Sequence, residues 1–220
     1  MTYLGFIESL KEQAESSFAD FQKRLIFTKY EILGVRTPTM RAMAKRYLPY
    51  LKEIWAFPNE YYEVVFIKLT IVSLLPYEQF IDYVDDCVLL MDNWALCDSF
   101  KAKCIRKHKK DFFQKIKEIF DRRGEYQQRY ALVSCLSFYI EEEYLPSIER
   151  LLCEADTKRY YVHMAVAWLL AEILAKNYDY GIQLLKRRLV DESTYYKGIQ
   201  KAIESYRLTG EQKEFLRALK

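Results

Sequence analysis

Glycine and proline are scarce in this 220-residue chain, with six and five copies. So few turn formers leave little room for a strand-rich fold and favour helices joined by short breaks. Histidine occurs only as His108 and His163, and the five cysteines (Cys87, Cys97, Cys104, Cys135, Cys153) form no Cys-x-x-Cys pair. No metal site is therefore expected, and the thiols read as reduced residues of helix interiors. No apolar run approaches the ~18–20 residues that span a bilayer. The richest stretch, Met164 to Ala171, ends at Glu172. The opening Met-Thr-Tyr-Leu-Gly-Phe-Ile-Glu has neither the basic start nor the cleavage pattern of a signal peptide. A cytoplasmic protein without membrane contact is the expectation.

Hydrophobic residues make up 51 % of the chain and charged residues 30 %, enough for one substantial core or for a solenoid whose units bury their faces on each other. The formal charge of +3 names no partner, but its distribution is uneven. Residues 101–110 carry six Lys or Arg and no acid, whereas Glu141, Glu142 and Glu143 concentrate the opposite sign. The basic run fits either a cationic face for a polyanion or a solvated helix end.

Helix signals recur at a regular interval. Thr37-Pro38 reads as an N-cap hydroxyl followed by proline at the first helical position, with Gly34 breaking the segment before it. Further helices open near Asn59, Asn93, Glu125, Arg159 and Ser193, at spacings of 34, 32, 34 and 34 residues. Each is followed by a second helix after a break at Pro76-Tyr77, Lys109-Lys110, Glu142-Glu143, Asn177-Tyr178 or Thr209-Gly210. Two helices per period and no strand alternation predict an all-α solenoid of stacked antiparallel pairs, HEAT-like because the TPR consensus is absent. With no linker or low-complexity stretch, residues 1–220 read as one such domain. Stacked pairs are expected to curve around a concave groove suited to a long partner.

Four residues stand out chemically. Trp94 and Asp98, four apart, fall on one face of a helix. Asp is a poor residue for a helix interior, so Asp98 is either functional or paired with Lys101 or Lys103. Trp168 lies in an apolar helix, where core is the alternative. Arg129 opens the apolar helix Tyr126 to Leu136, where a surface arginine with its stem on the core is the alternative.

Taken together, Trp94-x-x-x-Asp98, Arg129 and Trp168 resemble, in order and spacing, the AlkD-type DNA alkylation repair glycosylases. Leu33-Gly-Val-Arg-Thr-Pro38 with Arg41 resembles that family's N-terminal signature, and the likeness runs from about Leu25 to the end. Two departures exist: Ala171 stands where better-known members carry an arginine, and the chain is shorter between Asp98 and Arg129 and at its C-terminus. The resemblance implies a glycosylase for cationic N3- or N7-alkylpurines in duplex DNA, monomeric and needing no cofactor. Asp98, Trp94 and Trp168 would stabilise the positive sugar, and Arg129 would hold a phosphate. Arg36, Lys197, Lys201 and Lys103 are further candidates for DNA contact. Two rival readings use the same scaffold: a non-catalytic DNA or RNA binder, and a protein-interaction solenoid.

Overall fold

A computed structural model describes residues 1–220. Helix accounts for 73 % of the chain and there are no strands. Two isolated bridges, Ala14 with Val35 and Glu31 with Tyr61, are its extended pairings. The helices pack in neighbouring pairs, as in a helical repeat solenoid. None is long and apolar enough to cross a membrane. Contacts gather into two compact units, residues 1–108 and 109–220.

The first unit holds α1 (Tyr3–Lys11), α2 (Ser16–Leu25), α3 (Thr37–Tyr47), α4 (Leu51–Trp55), α5 (Tyr62–Ser73), α6 (Tyr77–Leu90) and α7 (Trp94–Ser99), with 3-10 turns at Leu48–Tyr50 and Lys103–Lys107. Its centre is α5, buried around most of its circumference, with α3, α4, α6 and α7 packed against it. A helix that is apolar all round has no face to spare for solvent, yet α5 carries two buried charges. Glu63, 0 % exposed, accepts the backbone N–H groups of Leu33 (3.1 Å), Gly34 (2.8 Å) and Val35 (3.2 Å). Lys68, 1 % exposed, donates to the carbonyls of Trp55 (3.0 Å) and Phe57 (2.5 Å) and to Asn59 Oδ1 (2.8 Å). Burial draws the Lys68 ammonium down to about 8, while three acceptors meet its three N–H bonds. Each charge thus ties one irregular segment to the central helix.

The Gly34 break is also a close crossing. Its φ is +95°, and a Cβ there would lie 2.4 Å from the Glu15 carbonyl oxygen. Glu15 N in turn donates to Gly34 O at 3.0 Å. Thr37 departs from expectation: it is the first helical residue of α3, Arg36 occupies the N-cap, and no side chain caps the helix. With Glu63 fixing Leu33 to Val35, the start of α3 is set from outside the helix.

The second unit holds α8 (Lys109–Asp121), α9 (Glu125–Phe138), α10 (Leu145–Glu154), α11 (Tyr160–Lys176), α12 (Tyr178–Arg187), α13 (Glu192–Glu204) and α14 (Gly210–Ala218). Here α11 is central and packs on α9, α12 and α13. Asn177, Asp191 and Thr209 cap α12, α13 and α14 through their side chains, Thr209 within a full capping box with Gln212. A Cβ on Gly181 would come within 2.7 Å of the Leu174 side chain, so α12 lies against α11 only because that atom is absent.

Most predicted starts coincide with observed ones: α6, α7, α8, α9, α11, α12, α13 and α14 begin at or next to the positions read from sequence. Two begin later. The α5 helix starts at Tyr62 because Asn59 belongs to the turn held by Lys68. The α10 helix starts at Leu145 because Glu141 and Glu143 lie in the preceding turn, paired with Lys109 and Lys110. Cys87, Cys97 and Cys135 are buried as expected of core thiols, whereas Cys153 is exposed.

Glu63→Gln is expected to destabilise the protein by about 2 kcal/mol, because an amide keeps one acceptor oxygen and turns an NH2 toward N–H donors. Chemical denaturation should show the lowered midpoint, and hydrogen exchange should show faster exchange at Leu33 to Val35. A wild-type midpoint with intact protection would contradict this role.

Candidate active site

The first turn of α7 is built to hold one geometry. Asn93, fully buried, caps it by accepting Leu96 N–H at 3.0 Å, and its amide donates to Asp92 Oδ1 at 2.7 Å. Asp92 also accepts the Thr28 hydroxyl (2.9 and 2.8 Å) and the Lys29 backbone N–H (2.7 Å). Trp94 is the first helical residue after this anchor. Its indole is 38 % exposed, and Nε1 donates to the Leu25 carbonyl at 3.3 Å. Asp98 follows one turn later, half-buried.

Trp94 and Asp98 line one cavity of about 730 Å³ in the first unit. Phe18 and Phe21 of α2 and Phe66 of α5 supply apolar wall. Four exposed cations share it: Arg41 and Lys45, one turn apart on α3, and Lys101 and Lys103 after α7. Asp98 is the one carboxylate among the lining residues. The cleft therefore holds a formal excess of three positive charges, as large as that of the whole chain. Such a concentration of one sign attracts a polyanion.

The basic run of residues 101–110 divides. Lys101 and Lys103 face the cavity, His108 stacks on Tyr77 with ring centroids 4.1 Å apart, and Lys109 and Lys110 pair with Glu141 and Glu143. Two of the run's six cations thus meet the acidic run noted in the sequence. Lys45 was legible from its i,i+4 spacing to Arg41. The Phe18 and Phe21 wall was not, because nothing in sequence links α2 to α7.

The remaining candidates are distributed more widely. Arg36 is exposed but its fork is filled by Glu15, with Nε and Nη2 each 2.8 Å from a carboxylate oxygen, and its guanidinium lies 4.6 Å from the Phe18 ring centroid. Hydrogen bonding from Arg36 holds the Glu15 carboxyl below its usual range. In the second unit, Arg129 is 6 % exposed rather than lying on the surface, and Nη1 donates to the Tyr161 carbonyl at 2.9 Å. Trp168 and Lys201 line a cleft of about 320 Å³ together with Ala171, Glu172 and Arg207, whose guanidinium pairs with Glu172 at 2.5 Å. Lys197, one turn before Lys201, opens instead into a cleft of about 730 Å³ with Lys158, His163 and Tyr160.

A family model described as DNA alkylation repair enzyme matches residues 6–194. No curated protein matches the chain.

The burial of Arg129 generates a test. Arg129→Ala should lower stability by about 1–3 kcal/mol, since it removes a charge-assisted bond to the Tyr161 carbonyl. The slope of log K against log salt for duplex binding should stay at its wild-type value. A slope smaller by about one unit, with unchanged melting, would instead make Arg129 a phosphate contact.

Proposed function

Because the chain belongs to the DNA alkylation repair enzyme family, and so has a role in repairing alkylated DNA, we propose that it is a DNA glycosylase excising purines alkylated at N3 or N7. The observation that carries this reading is that Trp94 shares a cavity with Asp98, its one carboxylate, and with four cations.

The chemistry suits those groups. A purine alkylated at N3 or N7 is already cationic, so it leaves with the electron pair of the C1′–N9 bond and becomes neutral. Positive charge passes to the deoxyribose. The Asp98 carboxylate and the Trp94 ring face stabilise that charge. Asp98 also orients a water for addition at C1′ and takes its proton. The products are a free alkylated base and an abasic site, with water as the only co-reactant.

Binding and chemistry then fall to different residues. Arg41, Lys45, Lys101 and Lys103 hold backbone phosphates and supply sequence-independent affinity. In the second unit, Trp168 and Lys201 contact bound DNA from their shared cleft, the lysine toward a phosphate, and Lys197 contacts DNA from its own cleft. Arg36 acts through Glu15 and the Phe18 ring, and Arg129 through the Tyr161 backbone, as positioning residues. The cation-lined cleft would equally serve a non-catalytic DNA binder, so the decisive measurement is base release.

Asp98→Asn keeps size and removes charge. It should release alkylated base from methylated duplex DNA about a hundredfold more slowly, a loss typical of removing one preorganised electrostatic group. Its affinity for the duplex should fall by no more than about twofold. Excision within that twofold margin would leave Asp98 without a catalytic role. A separate measurement concerns affinity alone: Lys45→Ala combined with Lys103→Ala should reduce the salt slope of binding by about two units. An unchanged slope would remove the cleft from the DNA path.

A further inference from the structure

The cleft of Lys197 in the second unit holds an ionisable group that the proposed reaction leaves unused. Lys158, Lys197 and Lys220 line this cleft, and no acidic side chain does. Of the acids close to it in sequence, Asp156 pairs with Arg159, and Asp191 and Glu192 stand at the start of α13. His163 lines the same cleft from the first turn of α11, half-buried.

The imidazole is held from behind. Nδ1 lies 2.7 Å from Thr194 Oγ1, and Thr194, fully buried, donates its hydroxyl to Asp191 Oδ2 at 2.5 Å. Thr194 N–H binds the other Asp191 oxygen at 3.0 Å. A hydroxyl has one hydrogen, and an ionised carboxylate only accepts. The Thr194 hydrogen is therefore committed to Asp191, and Oγ1 receives its own hydrogen bond from His163 Nδ1. The neutral ring thus keeps its lone pair on Nε2, at the edge turned away from Thr194 and toward the cleft. Burial alone would raise the Asp191 carboxyl, but hydrogen bonds from Thr194 and Thr157 hold it below its usual range, so the far end of the chain stays negative.

We propose that protonated His163, with Lys158 and Lys197, grips a backbone phosphate of bound DNA, so that the second unit holds the duplex more tightly as pH falls. A neutral Nε2 and a phosphate oxygen are both acceptors and form no bond. Protonation turns Nε2 into a charged donor. The three lysines oppose that proton, while Asp191, acting through Thr194, favours it. The remaining titratable groups of the lining are the Tyr160 and Tyr196 phenols. A phosphate in the cleft adds the negative charge that tips this balance toward the imidazolium. Binding and protonation therefore reinforce each other. The gain in affinity is complete at pH values where the free ring is already protonated, and it is lost as pH rises until the ring of the complex gives up its proton. The contact carries no base information. This inference rests on the DNA-binding part of the proposed function and not on glycosylase chemistry.

The test uses the full chain and an undamaged duplex at about pH 8 and about pH 5.5, which span the range where an imidazole takes up a proton. Wild-type protein should bind about tenfold more tightly at the lower pH, and its salt slope there should be larger by about one unit. Near neutrality, adding duplex should move the His163 ring signal in NMR toward its protonated position. His163→Gln, whose amide still reaches Thr194, should gain less than twofold on acidification and show one salt slope at both pH values. His108, stacked on Tyr77, remains in that variant as the control for the other imidazole. Thr194→Val should lessen the gain while leaving His163 in place. Should either variant fail to fold, the His163 signal of wild type decides alone. If wild type binds duplex with pH-independent affinity, or His163→Gln keeps the gain, the proton-linked contact is overturned while the DNA-binding reading stands. If wild type binds no duplex at either pH, both fail. Sulfate alone moving the His163 signal as far as duplex does would assign the site to a free anion and overturn the backbone contact.

Discussion

The carboxylate of Glu63, closed inside the first unit with three backbone N–H groups pointing at it, sets the geometry on which the cleft depends. Burying a charge is expensive, and only charge-assisted hydrogen bonds of this kind offset it. Leu33 to Val35 are held in a curve that no repeating secondary structure would give. Within it, Gly34 crosses so close to Glu15 and Ala19 that no side chain fits. That crossing brings α2, bearing Phe18 and Phe21, beside α3, bearing Arg41 and Lys45. Two walls of the cavity therefore follow from one buried acid on α5, and Asp92 fixes the third by tying Thr28 and Lys29 to the start of α7.

In the proposed reaction, the charges within those walls divide by task. Duplex DNA is a polyanion, whereas the damaged base and the sugar losing it are cationic. A uniformly basic cleft would bind the first and repel the second. Here the cations sit exposed on α3 and after α7, and the half-buried carboxylate stands one turn inside α7 next to an indole. The low charge of the whole chain does not weaken this arrangement, because Lys109, Lys110, Arg187 and Arg207 are paired with acids elsewhere.

Much of this was legible in the sequence, and the reasons differ by element. Helix starts were readable because their signals are local: Asn93, Asn177 and Thr209 sit at the N-caps their chemistry suits. Trp94 and Asp98 share a cleft because helical spacing alone puts them on one face. Arg36 and Arg129 stood out in the sequence, but their partners did not: Glu15 lies 21 residues from one and Tyr161 lies 32 from the other. The α1 and α2 helices gave weaker start signals, so Phe18 and Phe21 were missed. Glu63 and Lys68 left a trace that can be recognised in retrospect. A charge inside a run as apolar as Val64 to Ile71, or at its head, has no solvent to face and must have a buried partner.

Arg129 also belongs to a pattern that recurs through the chain. At the start of α9, Glu125 accepts Tyr161 N–H, Arg129 donates to Tyr161 O, and Gln128 accepts Asp156 N–H. All three grip the segment leading into α11. At the start of α5, Glu63 grips the segment before α3. Before α7, Asp92 grips Thr28 and Lys29. At the start of α13, Thr194 bonds His163 of α11 at 2.7 Å. Apolar stacking of helix pairs is non-directional and would tolerate sliding of one helix on the next. A buried polar group satisfied by a single backbone segment does not tolerate it, because a slip of one residue leaves donors and acceptors unmatched at about 1–3 kcal/mol each. The polar residues at these helix starts therefore set the register in which the apolar faces meet. Trp94 directly follows such a lock and Asp98 lies one turn beyond it, so the backbone that carries both into the cleft is held in register.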